Sequence, residues 1–433
     1  MKKSIKQVYE KLWEHSPKPI ASILSKMVYR LADRPSWLEY QPQGFRVDDV
    51  SIDISPFPEG RRAGLVFSAD FEMAWAWRYA KSSPLPPEEM GLRERRNMPL
   101  ILDIFDHYDV PATWATVGHL ALESCQRVNG KAHADLKRIP YFQNQVWRFS
   151  SGDWYDHDPC SSSTDSPAWY APDLIEAILR SPARHAIGCH TFSHIDFSDT
   201  RCPEEVALDE MTAWKAAFNR FGVSPRAMVF PAGTYGHYDL LVKEGITCVR
   251  KRVTDVDLFY PIRSPEGLWL FPSSAPIDQQ GLGWRSEYIF QRLKKYLDRC
   301  IENGLVCGFW FHPGGVDQQA LSEVWPDFLA YANQLREQGV LWIGTMEHLA
   351  DYCEQCYNLK VVVESTGRFS LESSIDNNRF SSLNINLQLR DDRVILNAVE
   401  AHPAGRFNST SHNSFNISIG QDKIWMKVDR LPS

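Results

Sequence analysis

The chain has 433 residues, 43% of them hydrophobic and 23% charged, with a formal net charge of −7. That length suits one large α/β domain with a smaller companion, or two to three ordinary domains. The acidic balance gives no reason to expect nucleic acid as a partner, and no run of about 18 apolar residues is present to span a membrane.

Residues 1 to 34 read as one or two helices broken at Pro17 and Pro19. Apolar side chains recur at Ile5, Val8 and Leu12, then at Ile20, Ile23, Leu24, Met27, Val28 and Leu31. The other face carries eight basic side chains against three acidic ones, a balance of +5. Such a segment either packs on the outside of the main domain, the plainer reading, or makes peripheral contact with an anionic membrane surface. No apolar signal core follows its lysines, so the expected location is cytoplasmic, with membrane association through this segment as the variant. The nine cysteines lack a framework spacing and fit reduced thiols. Cys353-x-x-Cys356 has no second pair and is read as structural rather than as a zinc ligand pair.

Residues 35 to 62 read as linker and loop. Gly64 to Asp70 is a buried strand ending in Asp70-Phe71-Glu72, which sets two carboxylates two residues apart. A helix over 92 to 109, interrupted near Pro99, leads to a second strand, Val110 to Gly118. The polar and aromatic stretch 125 to 168 has few periodic signals and reads as an insertion or lid. His119 and His157 are taken as polar surface or pocket lining rather than ligands. After a helix over 170 to 180, the strand His185 to Cys189 runs into His190-Thr191-Phe192-Ser193-His194. On a helical turn, residues four apart share a face, so two imidazoles there can hold one metal ion.

A helix over 203 to 221 leads to the strand Ala227 to Pro231 and the turn Ala232 to Gly236. A helix over 238 to 244 and a strand Thr247 to Arg250 follow, and 251 to 285 is irregular. A helix over 287 to 303 precedes the strand Val306 to His312, which ends in His312-Pro-Gly-Gly. A helix over 319 to 338, a strand Val340 to Thr345 and a helix over 346 to 355 close the series. Such alternation predicts a parallel sheet with crossover helices, a βα barrel or a doubly wound sheet. From about residue 358 the period changes to two, which predicts a small antiparallel β unit. The expected divisions are therefore 1–60, 61–357 and 358–433.

The strand ends gather Asp70 and Glu72, His190 and His194, the turn before Gly236, and His312. Two histidines and a carboxylate leave an open position on a divalent metal for water and substrate. A second carboxylate can take a proton from water, and a further histidine can protonate a leaving group. The set suits metal-assisted hydrolysis of an amide or ester.

In these segments the chain resembles the polysaccharide deacetylase family, also called NodB-homology or carbohydrate esterase family four. The resemblance rests on Phe67 to Glu72, Pro111 to Gly118, Ile187 to His194, Phe230 to Gly236 and Gly308 to His312. It implies a distorted (β/α) barrel with fewer than eight strands and metal-dependent removal of an N- or O-acetyl group from a sugar. It implies Asp70 as general base, His190 and His194 as metal ligands and His312 as general acid. The Tyr235 backbone N–H would stabilise the oxyanion, and the metal expected is zinc. Glu72 stands one position away from the family's metal-binding aspartate and is a methylene longer. The family's arginine before the proline-led turn is absent, since Phe230 precedes Pro231; Arg226, Arg250 and Arg252 are the candidates to replace it. Asp255 or Asp257 would orient the histidine acid. The partner expected is an acetylated carbohydrate, such as a lipid- or nucleotide-linked precursor in surface-polysaccharide synthesis. Two other readings are a metal-free amidohydrolase acting on a cyclic amide and a glycan-binding protein without turnover.

Overall fold

The computed structural model describes residues 45–47, 50–80, 83–139, 152–252, 258–277, 286–365, 368–373, 383–389, 394–400, 406–411, 414–419 and 424–430. The basic amphipathic segment, Asp255 and Asp257 lie outside them.

The central strand, Ala63–Phe71, is buried at all nine positions. A strand covered on both faces cannot alternate apolar with polar residues, and this one is a nearly unbroken apolar run until Asp70. One edge pairs in parallel with Val306–Phe311. The other edge is shared: Leu341–Gly344 pairs with its first half and Thr113–Thr116 with its second. Beyond Thr113–Thr116 the sheet continues in parallel through Ala186–Cys189, Ala227–Val229, Cys248–Lys251 and Trp269–Pro272. Beyond Val306–Phe311 it adds Ala275–Pro276. Trp269–Pro272 and Ala275–Pro276 lie on the two wings of the sheet yet are separated by only two residues in sequence, so the sheet curls until its wings meet. Ser274 closes the join: its N–H donates to the Gly308 carbonyl at 2.8 Å, and the Gly308 N–H donates to its hydroxyl at 2.9 Å. Only glycine fits there, because a Cβ at Gly308 would stand 2.0 Å from the Pro272 carbonyl oxygen. The result is the expected distorted barrel.

From Pro87 on, the described helices match the expected order with shifted ends, and a short helix not expected from the sequence, Ala74–Trp77, precedes them. The first long one, Pro87–His107, begins five residues earlier than expected because Pro87 fits the first turn and Glu88 and Glu89 complement its dipole. It passes through Pro99 without ending, since Met98, Ile101, Leu102 and Phe105 are buried against the sheet and hold it there. The stretch 251 to 285, expected to be irregular, supplies Ile262–Arg263, Trp269–Pro272 and Ala275–Pro276. These strands are two to four residues long, too short for a periodic signal. No described helix is long and apolar enough to cross a membrane.

After residue 358 the described strands are antiparallel, as expected, but they form two sheets. One holds Leu359–Ser365, Arg368–Ser373, Ile424–Arg430 and Val394–Glu400. The other takes in strands from before the barrel: Val50–Ile54 pairs with Leu383–Leu389, and Phe45–Val47 pairs with Val50–Ile54. Part of the stretch read as linker is thus sheet. Val50-Ser-Ile-Asp-Ile54 alternates with period two, and Ile52 and Ile54 are buried in the same apolar cluster as Trp342, Met346 and Leu349. Cys353 and Cys356 are buried there too, in keeping with a structural role.

Candidate metal and catalytic site

His190 and His194 do not lie on a helical turn. His190 follows the strand Ala186–Cys189, and the four residues after it form an irregular bend. Thr191 and His194 take left-handed backbone angles, φ 58° and 59°. Such angles are costly for a β-branched residue and persist only where surroundings impose them. Here the Thr191 and Phe192 carbonyls accept the N–H groups of Gly118 and His119, both at 2.9 Å. The Thr191 hydroxyl accepts the Ile195 N–H at 3.1 Å. The i, i+4 pairing was therefore the wrong route to a correct meeting: the two imidazole ring centroids are 5.1 Å apart.

Glu72 completes the group. Its Oε2 lies 3.1 Å from His190 Nε2 and 3.1 Å from His194 Nε2. His190 is fixed from behind, its Nδ1 lying 2.8 Å from the Val229 carbonyl, which leaves Nε2 for the site. Burial alone would raise the Glu72 carboxyl, but the facing His312 and His194 and the hydrogen bonds of both histidines bring it well below the usual carboxylate range. Burial lowers His194, against the pull of Glu72. Two imidazoles and one carboxylate, with donor atoms that converge, are a donor set for a divalent cation. The extra methylene of glutamate thus does not keep Glu72 from the histidines.

Asp70 and His312 stand beside this group. His312 Nε2 is 3.6 Å from Glu72 Oε1 and 3.8 Å from Asp70 Oδ2. The His312 side chain keeps 23% of its surface exposed, whereas Glu72 keeps 5%, so the approach is from the His312 side. The Trp77 and Trp310 rings flank His312, with centroids 5.7 and 5.5 Å from its ring. Of the three candidate arginines, Arg250 is the one at Asp70: its Nη2 lies 2.6 Å from Asp70 Oδ2 and its Nη1 donates to the Ser68 hydroxyl at 2.9 Å. Arg226 instead pairs with Asp351, and the Arg252 N–H donates to the Tyr235 hydroxyl at 3.1 Å. Tyr235 sits in the turn after Ala227–Val229. That turn is stapled to the segment after His194, where the Phe197 N–H donates to the Thr234 hydroxyl at 2.9 Å and the His237 N–H to Asp199 at 2.6 Å.

Several supports had no signal in the sequence. Glu94, on the buried face of Pro87–His107, accepts the N–H groups of Glu72 and Met73 at 3.1 and 3.2 Å. Burial and the nearby Glu72 raise its carboxyl to about 8. It holds the backbone where Met73 takes φ 45°. Glu210 accepts the N–H and hydroxyl of Ser193 at 2.8 and 2.6 Å. Buried Arg78 donates to the Ser193 carbonyl at 3.1 Å, and its guanidinium lies 4.0 Å from the Trp75 ring centroid. The insertion joins in through Trp154, whose indole N–H donates to the same Ser193 carbonyl at 3.0 Å. A helical carboxylate 22 residues from the backbone N–H it accepts is visible only once the sheet is folded. His119, expected at a surface or pocket wall, is fully buried instead, facing His133 and Asp158.

Residues 89–244 match the polysaccharide deacetylase family model, a span that contains His190 and His194 but not Glu72 or His312. Among solved structures, the chain is similar to a probable polysaccharide deacetylase from Pseudomonas aeruginosa PAO1, with 16% identity over 69% of this chain and 93% of that one, at a TM-score of 0.47. It is also similar to PuuE allantoinase, with 15% identity over 69% and 92% at 0.47. A third is a Streptococcus mutans CE4 esterase, with 13% identity over 66% and 86% at 0.36. No curated protein matches the chain.

Proposed function

We propose that this chain, whose residues 89–244 match the polysaccharide deacetylase family model, is a hydrolase that removes an acetyl group from a sugar in a metal-dependent reaction. The observation that carries the metal dependence is the meeting of Glu72 Oε2 with His190 Nε2 and His194 Nε2 at 3.1 Å each, beside Asp70 and His312. Glu72, His190 and His194 would hold the ion. When bound, a divalent ion there polarises the acyl carbonyl and makes water easier to deprotonate.

The remaining work falls to the chain's own groups. Asp70 takes a proton from the attacking water, whose oxygen bonds to the acetyl carbon. Arg250 and Ser68 hold Asp70 in place through the guanidinium fork. The Tyr235 backbone N–H supports the oxygen that gains charge. As the carbon–nitrogen or carbon–oxygen bond breaks, His312 delivers a proton to the leaving sugar, and acetate departs. Trp310, partly exposed beside His312, supplies a ring of the kind against which a sugar packs.

The test is acetate release from a panel of N- and O-acetylated sugars, including lipid- and nucleotide-linked ones, by protein loaded with zinc and by protein stripped of it. Release that requires the metal supports the reading. Hydrolysis of a cyclic amide by the stripped protein, with no acetate from any sugar, would sink it in favour of a metal-free amidohydrolase.

A further inference from the structure

The insertion between the strands Thr113–Thr116 and Ala186–Cys189 contains a second convergence of metal-binding side chains, and it shares no residue with the first. His119 Nε2, His133 Nε2 and Asp158 Oδ2 form a triangle with sides of 3.1, 3.1 and 3.0 Å. Cys125 Sγ lies 3.5 Å from the same Asp158 oxygen, and all four donor atoms fall within 4.8 Å of one another. The His119 and Asp158 side chains are wholly buried, and His133 keeps 12% of its surface.

Hydrogen bonds alone do not satisfy this triangle. If both rings donate from Nε2 to Asp158 Oδ2, two N–H groups face each other at 3.1 Å. If one ring instead accepts from the other, its lone pair faces the carboxylate. A cation at the centre satisfies every side. The distances fit one: a tetrahedral zinc with nitrogen and oxygen ligands at about 2.0–2.1 Å sets those atoms about 3.3 Å apart, and a sulfur at about 2.3 Å lies about 3.5 Å from an oxygen ligand.

We propose that His119, Cys125, His133 and Asp158 form a second metal site, a closed tetrahedral zinc site that pins the insertion to the barrel. Four protein donors including a thiolate leave no open position, which separates this site from the three-donor group at Glu72. The surroundings are arranged for ligation. The other oxygen of Asp158 accepts the Cys160 N–H at 2.8 Å and the Tyr170 hydroxyl at 3.3 Å, leaving Oδ2 to the cation. The site also lies against the first: the Phe192 ring, between His190 and His194 in sequence, is 5.6 Å from the His119 ring and 5.3 Å from the His133 ring. The zinc thus ties the turn Gly118–Ala121, the hairpin ending at Ala132 and the segment around Asp158 to the back of the first site's loop.

Zinc content of the full chain, purified without chelator, tests this. The expected result is about two equivalents in the unaltered protein and about one in the double variant His190→Ala/His194→Ala. Cobalt loaded into that double variant should show a thiolate-to-cobalt charge-transfer band, since Glu72 and its histidines bring no sulfur. The band should vanish with Cys125→Ser and survive Cys160→Ser. Two results overturn the proposal: an unaltered protein with one equivalent whose double variant has none, or bound cobalt without the thiolate band. Neither depends on the folding of a cysteine variant.

Discussion

Arg250 meets Asp70 across the interior of the curled sheet: its Nη2 lies 2.6 Å from Asp70 Oδ2, with both side chains less than a tenth exposed. The guanidinium comes from the strand Cys248–Lys251. Arg250→Ala should therefore leave a buried carboxylate without its cation, at a cost of about 3–5 kcal/mol measured by urea unfolding. Turnover should fall by roughly a hundredfold through misplacement of Asp70. Arg250→Lys keeps the charge but not the fork to Ser68, so it should fall between the two. Unchanged stability in the alanine variant would show that the ion pair is not formed in solution.

The roles at the first site should separate by metal content. Glu72→Ala, His190→Ala and His194→Ala should each lose one metal equivalent together with activity, because each removes one of three converging donors. Asp70→Asn and His312→Ala should keep the metal and lose about a hundred- to ten-thousand-fold in rate, the range of a general acid or base. Metal analysis alongside single-turnover assays checks the division. Full metal content in Glu72→Ala would remove Glu72 from the donor set.

The strand before the barrel should behave as core. Ile52 is fully buried against the apolar cluster that includes Trp342 and Met346. Ile52→Ala should cost about 2–5 kcal/mol in unfolding free energy, the range for a buried isoleucine cut to alanine. A loss below about 0.5 kcal/mol is what a true linker residue would give.

His185 gives the fold an acid limit of its own. Burial lowers it from 6.5 to about 4, against a small upward pull from Asp106. Its Nδ1 accepts the Ala112 N–H at 3.0 Å, a bond that protonation there would abolish. As pH falls from 6.5 towards 4, the unfolded chain takes up a proton that the folded chain refuses, so stability is lost across that window. The full effect is roughly 3 kcal/mol. Unfolding curves at pH 7 and pH 5 should show a smaller difference for His185→Gln than for the unaltered protein. Equal differences would remove His185 as the cause.

By itself the sequence determined the local periodicities and what lies at the strand ends. Buried parallel strands read as apolar runs, so Asp70, His190 and His312 stood out as polar residues where those runs stop. The antiparallel change after residue 358 was legible for the same reason, a switch to period two. The tertiary structure alone decided which distant groups meet. Nothing in the sequence distinguished Arg250 from Arg226 and Arg252; the curl of the sheet points one at Asp70 and pairs another with Asp351. Period two in Val50–Ile54 was too brief to announce a strand whose partner, Leu383–Leu389, lies more than 300 residues away. Cys125 and Asp158 carried no recognisable spacing with His119 and His133, because these donors come from loops rather than from one helix face or hairpin. A loop's path is set by what it packs against, and that information lies outside the loop's own residues.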